Sequence, residues 1–157
     1  YALRRPGAIE AIADSDCAVC LMHMQGEPLT MQQAPQYDDV VAEVSRFLCE
    51  RVAVLVDAGV TRDRLVLDPG FGFGKTLEHN LEMLRRFKTF REAGLPVLAG
   101  MSRKSMLGTI TGRPVDQRLS ARVTVALIAA QRGAQILRVH DVAETRDALT
   151  VLQTLGE

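Results

Sequence analysis

The sequence predicts an α/β fold built on a parallel sheet, and two observations carry that prediction. Short, wholly apolar runs alternate with longer segments of helical periodicity. Polar or glycine-rich residues follow each apolar run, at the end where parallel sheets open their binding face. Runs this apolar also predict a sheet covered on both faces.

Residues 6–14 read as a short helix, with Pro6 early in it where a missing N–H does no harm. Residues 17–22 are the first strand. Residues 23–37 contain Gly26, Pro28 and Pro35 and form a long loop. Residues 38–58 are a helix whose apolar face is Val40, Val41, Val44, Phe47, Leu48, Val52 and Leu55; Gly59 stops it. Residues 65–67 are the second strand, and 77–93 a helix with Leu81, Leu84, Phe87 and Phe90 inward, closed by Gly94. Residues 97–101 are the third strand, followed by a helical turn to Ile110 and a nearly all-apolar helix over 116–132 that Gly133 ends. Residues 136–139 and 142–155 are the fourth strand and the last helix. Four strand–helix units fit either an open doubly wound sheet or half of a (β/α)8 barrel, a complete barrel needing roughly 250 residues.

The chain has 157 residues, 47% hydrophobic and 24% charged, with 19 acidic and 19 basic side chains, enough for one domain with a sizeable core. That balance gives no electrostatic case for nucleic acid or an anionic membrane, and no apolar run reaches membrane-spanning length. Tyr1 is not an initiator Met, and the residues after it lack the apolar core of a signal peptide, so the chain reads as entered partway. Cys17 and Cys20 have CxxC spacing, but residues three apart on a strand face opposite ways and cannot share a metal or a bond. With Cys49 they are expected as buried free thiols in a reducing cytoplasm.

Residues 65–76, Leu-Val-Leu-Asp-Pro-Gly-Phe-Gly-Phe-Gly-Lys-Thr, organise the rest. Asp68 is the last residue the strand can aim before Pro69 breaks the ladder. Gly70, Gly72 and Gly74 bare the backbone for close approach. The phosphate-loop pattern fails because its first glycine falls at Pro69, and the dinucleotide pattern fails at Lys75. This is a ligand loop of another kind, rooted in a carboxylate.

Chemistry-bearing residues follow the other strands too: Met22 and His23 after the first, Ser102, Arg103 and Lys104 after the third, and Arg138, Val139 and His140 at the fourth. Arg138 and His140 are two apart and emerge on one side of their strand, where a guanidinium beside an imidazole suits a phosphate or pyrophosphate. Each has a plainer reading. Arg138 fits a salt bridge to a neighbouring helix, His140 a helix cap, Lys104 an ion pair with Asp68, Ser102 a helix cap, and Met22 the core. His79 reads as solvated, as do Arg85, Arg86, Lys88, Arg91, Arg118 and Arg122 on helix faces. Together the rim offers a carboxylate for a donor edge, Phe for a flat ring and cations for anionic oxygens.

Residues 21–26 (Leu-Met-His-Met-Gln-Gly), 67–76, 100–108 (Gly-Met-Ser-Arg-Lys-Ser-Met-Leu-Gly) and 137–142 (Leu-Arg-Val-His-Asp-Val) resemble the carboxy-terminal half of bacterial dihydropteroate synthases, in order and spacing along the whole chain. The resemblance implies a (β/α)8 barrel, of which residues 1–157 supply about the last four units as one pterin-binding domain. It implies a transferase of folate biosynthesis that joins p-aminobenzoate to 7,8-dihydropterin-6-ylmethyl diphosphate and releases pyrophosphate. Met22, Asp68, Gly100, Lys104 and Arg138 would bind the pterin, and Phe73 and Ser102 the p-aminobenzoate that sulfonamides mimic. Arg138, Val139 and His140 would bind the diphosphate, with Lys104, Arg138 and His140 as the catalytic set. Mg2+ would arrive with the diphosphate, and its protein ligand would lie in the family's amino-terminal half, absent here along with four strands and two closing loops. The resemblance implies a cytoplasmic homodimer, with the apolar helix from Leu119 as a candidate interface, and this chain alone is expected to be inactive. Two other readings stay open: a pterin-binding corrinoid methyltransferase barrel, and a non-catalytic half barrel that acts through oligomerisation.

Overall fold

The computed structural model describes Leu3 and residues 5–156; Tyr1, on which the reading of the amino terminus rests, lies outside the described residues. In chain order the elements are α1 (Ala8–Ala13), β1 (Val19–Met22), α2 (Val40–Asp57), β2 (Leu65–Asp68), α3 (Leu77–Arg85), β3 (Leu98–Ala99), α4 (Ser105–Thr111), α5 (Leu119–Gln131), β4 (Ile136–Leu137) and α6 (Val142–Thr154). β1 pairs with β2 in parallel, Val19 opposite Leu65 through Met22 opposite Asp68. β3 pairs with β4 in parallel, Leu98 opposite Ile136. A bridge between Leu67 and Val97, with the Leu67 N–H donating to Pro96 O at 2.9 Å, joins the two pairs. The strands therefore lie in sequence order, as successive barrel strands do, whereas a doubly wound sheet reverses its order at a switch point.

The faces of the strands agree. Leu65, Leu67, Val97 and Ala99 are buried against the helices, and the core continues through Val41, Val44, Leu48 and Leu55 of α2. On the alternate face, Cys20 is exposed and Ile136 is 37% exposed. The expectation of a sheet covered on both faces is thus corrected. Helices pack on the outer face alone, as in a barrel, and among the described residues no second layer lies on the inner face. The same geometry corrects the thiols. Cys17, Cys20 and Cys49 are free but exposed, Cys20 because it points to that inner face and Cys49 because it lies off the buried stripe of α2.

Two helices end differently from expectation. The helix expected over 77–93 stops at Arg85, and a 3-10 segment, Phe87–Ala93, follows. Side chains three apart eclipse in that geometry, so Phe87 and Phe90 both enter the core. The helix expected from residue 116 begins at Leu119, after a separate 3-10 turn, Val115–Gln117. The third and fourth strands are shorter than expected, but backbone bonds from Gln135 N–H to Val97 O and from Arg138 N–H to Ala99 O, both 3.0 Å, carry the pairing to the rim.

The two phenylalanines of the glycine loop part company. Phe71 is 1% exposed and lies parallel to Phe87 with centroids 6.2 Å apart, while Phe73 is only half-buried. Phe71→Ala should therefore cost about 3–5 kcal/mol in chemical denaturation. Phe73→Ala should cost under about 1 kcal/mol. Equal losses would mean that both rings are core.

Candidate functional site

Asp68 closes β2 and is 1% exposed. A buried carboxylate is tolerable only when its oxygens are paired, and both are: Oδ1 accepts from the Gly70 N–H at 2.8 Å and Oδ2 from Arg138 Nη2 at 3.0 Å. The Asp68 backbone carbonyl accepts from the His23 N–H at 3.0 Å, fixing the end of β1 beside it. Gly70 has φ +73°, and a Cβ there would fall 1.9 Å from His23 O, so only glycine lets the loop turn this tightly.

Phe73 and Lys104 meet next to that carboxylate. The Lys104 ammonium sits 3.8 Å from the Phe73 ring centroid, a cation–π contact, and its stem runs across Gly72, where a Cβ would lie 3.1 Å from Lys104 Cδ. Burial, then the Arg138 charge, pushes the Lys104 ammonium below its ordinary range, and Asp68 offsets part of this. The plain ion pair between Lys104 and Asp68 is not what forms, because Arg138 takes the carboxylate.

Arg138 is reached across β3. Its guanidinium lies on Gly100, where a Cβ would come within 2.7 Å of Nη2, so the bare backbone is what admits it. Beyond the half-buried Val139, His140 Nδ1 lies 2.9 Å from Ser102 Oγ. Ser102 is buried and caps nothing: α4 starts at Ser105, with Lys104 in the N-cap position. His140 is no cap either, since Asp141 precedes α6. Met22, opposite Asp68 in register, is half-buried on the inner face and does not belong to the core. The structure thus brings Met22, Asp68, Phe73, Gly100, Ser102, Lys104, Arg138 and His140 to one rim.

Arg122 was expected on a solvated face and is 7% exposed. It grips Asp141 through two bonds, Nη2 to Oδ1 at 2.9 Å and Nε to Oδ2, and donates to Val115 O at 2.7 Å. The Arg122 bonds hold the Asp141 carboxyl below its usual range. This pair anchors the segment that carries Arg138 and His140. His79 is also not simply solvated: its ring accepts from the Thr76 N–H at 3.2 Å in a capping box and packs edge-on to Tyr37.

Sequence reasoning missed Lys75. It is 4% exposed, and its Nζ lies 2.9 Å from His23 Nδ1, 3.0 Å from Gly70 O and 3.1 Å from Phe73 O. Burial pushes this ammonium down to about 7; the Asp68 charge works against the shift and Lys104 adds to it. The available signal was its place, a lysine closing an apolar glycine loop with no acidic neighbour in sequence. Among the described residues no group of three or more His, Cys, Asp or Glu could hold a metal ion, and no helix is long and apolar enough to cross a membrane.

Comparison with known proteins gives the family. The family described as pterin binding enzyme matches residues 1–140. Dihydropteroate synthase of Escherichia coli K12 is 52% identical over 151 residues, covering 96% of this chain and 54% of that protein. A Yersinia pestis dihydropteroate synthase structure with a sulfonamide drug complex superposes with a TM-score of 0.95 at 47% identity, over 98% of this chain and 56% of that one. The Xanthomonas albilineans enzyme in complex with 7,8-dihydropteroate gives 0.91 at 52% identity, over 99% and 58%. The chain spans about half the length of the curated relatives it matches.

Two measurements check the electrostatics. Arg122→Ala should cost about 3 kcal/mol in denaturant unfolding, the low end for breaking a buried pair because Asp141 keeps some contact with water. Lys75 is less basic folded than unfolded, so the unfolded chain binds more protons between about pH 7 and the ordinary lysine range, and stability rises with pH there. Between about pH 7 and 8.5 unfolding free energy should gain up to ~1.4 kcal/mol per pH unit, a slope that Lys75→Met abolishes.

Proposed function

This chain belongs to the family of pterin-binding enzymes, and from that premise we propose that residues 1–157 act as the carboxy-terminal half of the pterin-binding barrel domain of a dihydropteroate synthase. The reaction joins p-aminobenzoate to 7,8-dihydropterin-6-ylmethyl diphosphate and releases pyrophosphate. The observation that carries this reading is the rim itself: a buried carboxylate, a guanidinium laid across to it, and a ring under an ammonium.

Asp68 accepts from the amino-pyrimidine edge of the pterin. The incoming edge takes over Oδ2 and frees Arg138 to lie against the ring and reach the diphosphate. Met22 and Gly100 line the slot, and Lys104 meets the pterin carbonyl and ring nitrogen. Phe73 and Ser102 hold p-aminobenzoate. Arg138, the Val139 backbone and His140 stabilise charge on the leaving diphosphate. As its C–O bond breaks, the electron-rich pterin stabilises the methylene cation; the arylamine nitrogen then forms the new C–N bond and gives its proton to solvent. No side-chain nucleophile is needed.

The residues here fit the diphosphate and not a bare divalent cation. Arg138, His140 and Ser102 suit anionic oxygens, so Mg2+ would come bound to the substrate and no step is routed through it. A diphosphate grip also favours this transferase over a methyltransferase barrel, which has no use for one. The same reading makes the protein a cytoplasmic homodimer. Exposed Val151 on α6 and Leu155 just past its end, beside α5, offer apolar surface for a second copy, and free thiols suit a reducing compartment.

In the protein that carries this chain, Lys104→Ala and Arg138→Ala should each remove about 2–4 kcal/mol of transition-state stabilisation, roughly 30- to 1000-fold in kcat/KM. Pyrophosphate release from the two substrates is the assay. Undiminished turnover in both variants overturns the assignment.

A further inference from the structure

We propose that Lys75 is a positioning residue for this site: sealed beneath the glycine–phenylalanine loop, it ties the loop into the shape that presents Phe73 to Lys104. The argument starts from the loop's lack of stiffness. Gly70, Gly72 and Gly74 all have positive φ, from +61° to +76°, and none brings a side chain that could lock its shape. Besides Phe71 in the core and the Asn80 bond to the Gly72 N–H, order comes from bonds to the loop's carbonyls. Gln32 Nε2 donates to Gly72 O, and the Tyr37 hydroxyl to Gly74 O at 2.9 Å. Lys75 Nζ takes two more, Gly70 O and Phe73 O. Phe73 is thereby held between two lysines, one bonded to its carbonyl and one lying on its ring.

The groups facing Lys75 are His23 at the end of β1, Asp68 at the end of β2 and Lys104 ahead of α4. His23 lets the contacts survive a change of protonation. An ammonium donates to both carbonyls and to the bare Nδ1; a neutral amine donates to both carbonyls and accepts from a protonated Nδ1. The loop therefore keeps its shape in either state.

The consequence for ligands rests on the function proposed above, in which Phe73 holds the p-aminobenzoate while Asp68 holds the pterin from the strand. Loss of Lys75 should loosen the first and spare the second. The chain contains three lysines, Lys75, Lys88 and Lys104, so 13Cε-lysine labelling gives a readable spectrum. The Lys104 signal, identified by its loss in Lys104→Arg, should be shifted upfield by the Phe73 ring. In Lys75→Met that shift should fall by at least half; in the protein that carries this chain, the same substitution should raise the KM for p-aminobenzoate at least tenfold and leave pterin affinity within threefold. An unchanged Lys104 shift, equal losses for both substrates, or failure of both Lys75→Met and Lys75→Gln to fold each overturns the positioning role. Should the unsubstituted protein that carries this chain bind neither substrate, the functional reading falls, and the Lys104 shift still decides the role of Lys75.

Discussion

The buried carboxylate of Asp68 is the constraint on which the rest of the rim depends. Removing a carboxylate from water costs several kcal/mol, and the cost is offset only where both oxygens find donors. One donor is the Gly70 N–H, which the chain supplies by turning sharply right after the strand. The other is Arg138, which comes from β4 and crosses Gly100 to arrive. The bond spans the junction where the two strand pairs meet through the Leu67–Val97 bridge. Arg138 keeps a side chain 55% exposed although its partner is 1% exposed. Such a donor can be exchanged for a ligand's donor edge without leaving the carboxylate orphaned.

Around that pair the glycine loop does two jobs by alternation. Phe71 turns inward and stacks on Phe87, which fastens the loop to the core; Phe73 turns outward and becomes a surface for Lys104. A loop of glycines alone would be too mobile for this, and a loop of bulkier residues would strike His23 O or Gln25 O. The anchoring is completed from below by Lys75 and from α3 by Asn80, whose Oδ1 accepts from the Gly72 N–H at 2.7 Å.

Strands, helices and most of the rim residues were legible in the sequence because they rest on local signals, namely apolar runs, glycine stops and polar residues at strand ends; Gly100 came only with the family resemblance. Asp68, Phe73, Lys104 and Arg138 all fall where those signals put them. What escaped depends on contacts between residues far apart in the chain. Arg122 looks like any basic residue on a helix until Asp141 closes on it, and Lys75 is one more residue of the glycine loop until His23 and two carbonyls surround it. The cap that each of Ser102 and His140 also fits is a local pattern, whereas the contact they make with each other spans 38 residues. Exposure of Cys20 was illegible for a different reason: a strand pattern says which residues alternate, and only the closure of the sheet says which face is filled.

The electrostatic balance of the rim gives the last step. Lys75, Lys104 and Arg138 converge on one carboxylate, so positive charge is in excess. Burial is the main cause of the lowered basicity of both lysines, yet Arg138 adds to it at Lys104, and Lys104 adds to it at Lys75. The cations therefore hold each other at a disadvantage. A polyanion laid against Arg138 offsets that repulsion, since its charge favours the protonated form of each lysine. Binding and protonation then reinforce one another, because a ligand that raises a group's affinity for protons is itself bound more tightly by the protonated form. A rim that crowds cations around a single buried carboxylate is in this sense incomplete until an anion arrives. A planar ring whose donor edge satisfies Asp68 and whose diphosphate neutralises the cations meets both demands with one molecule.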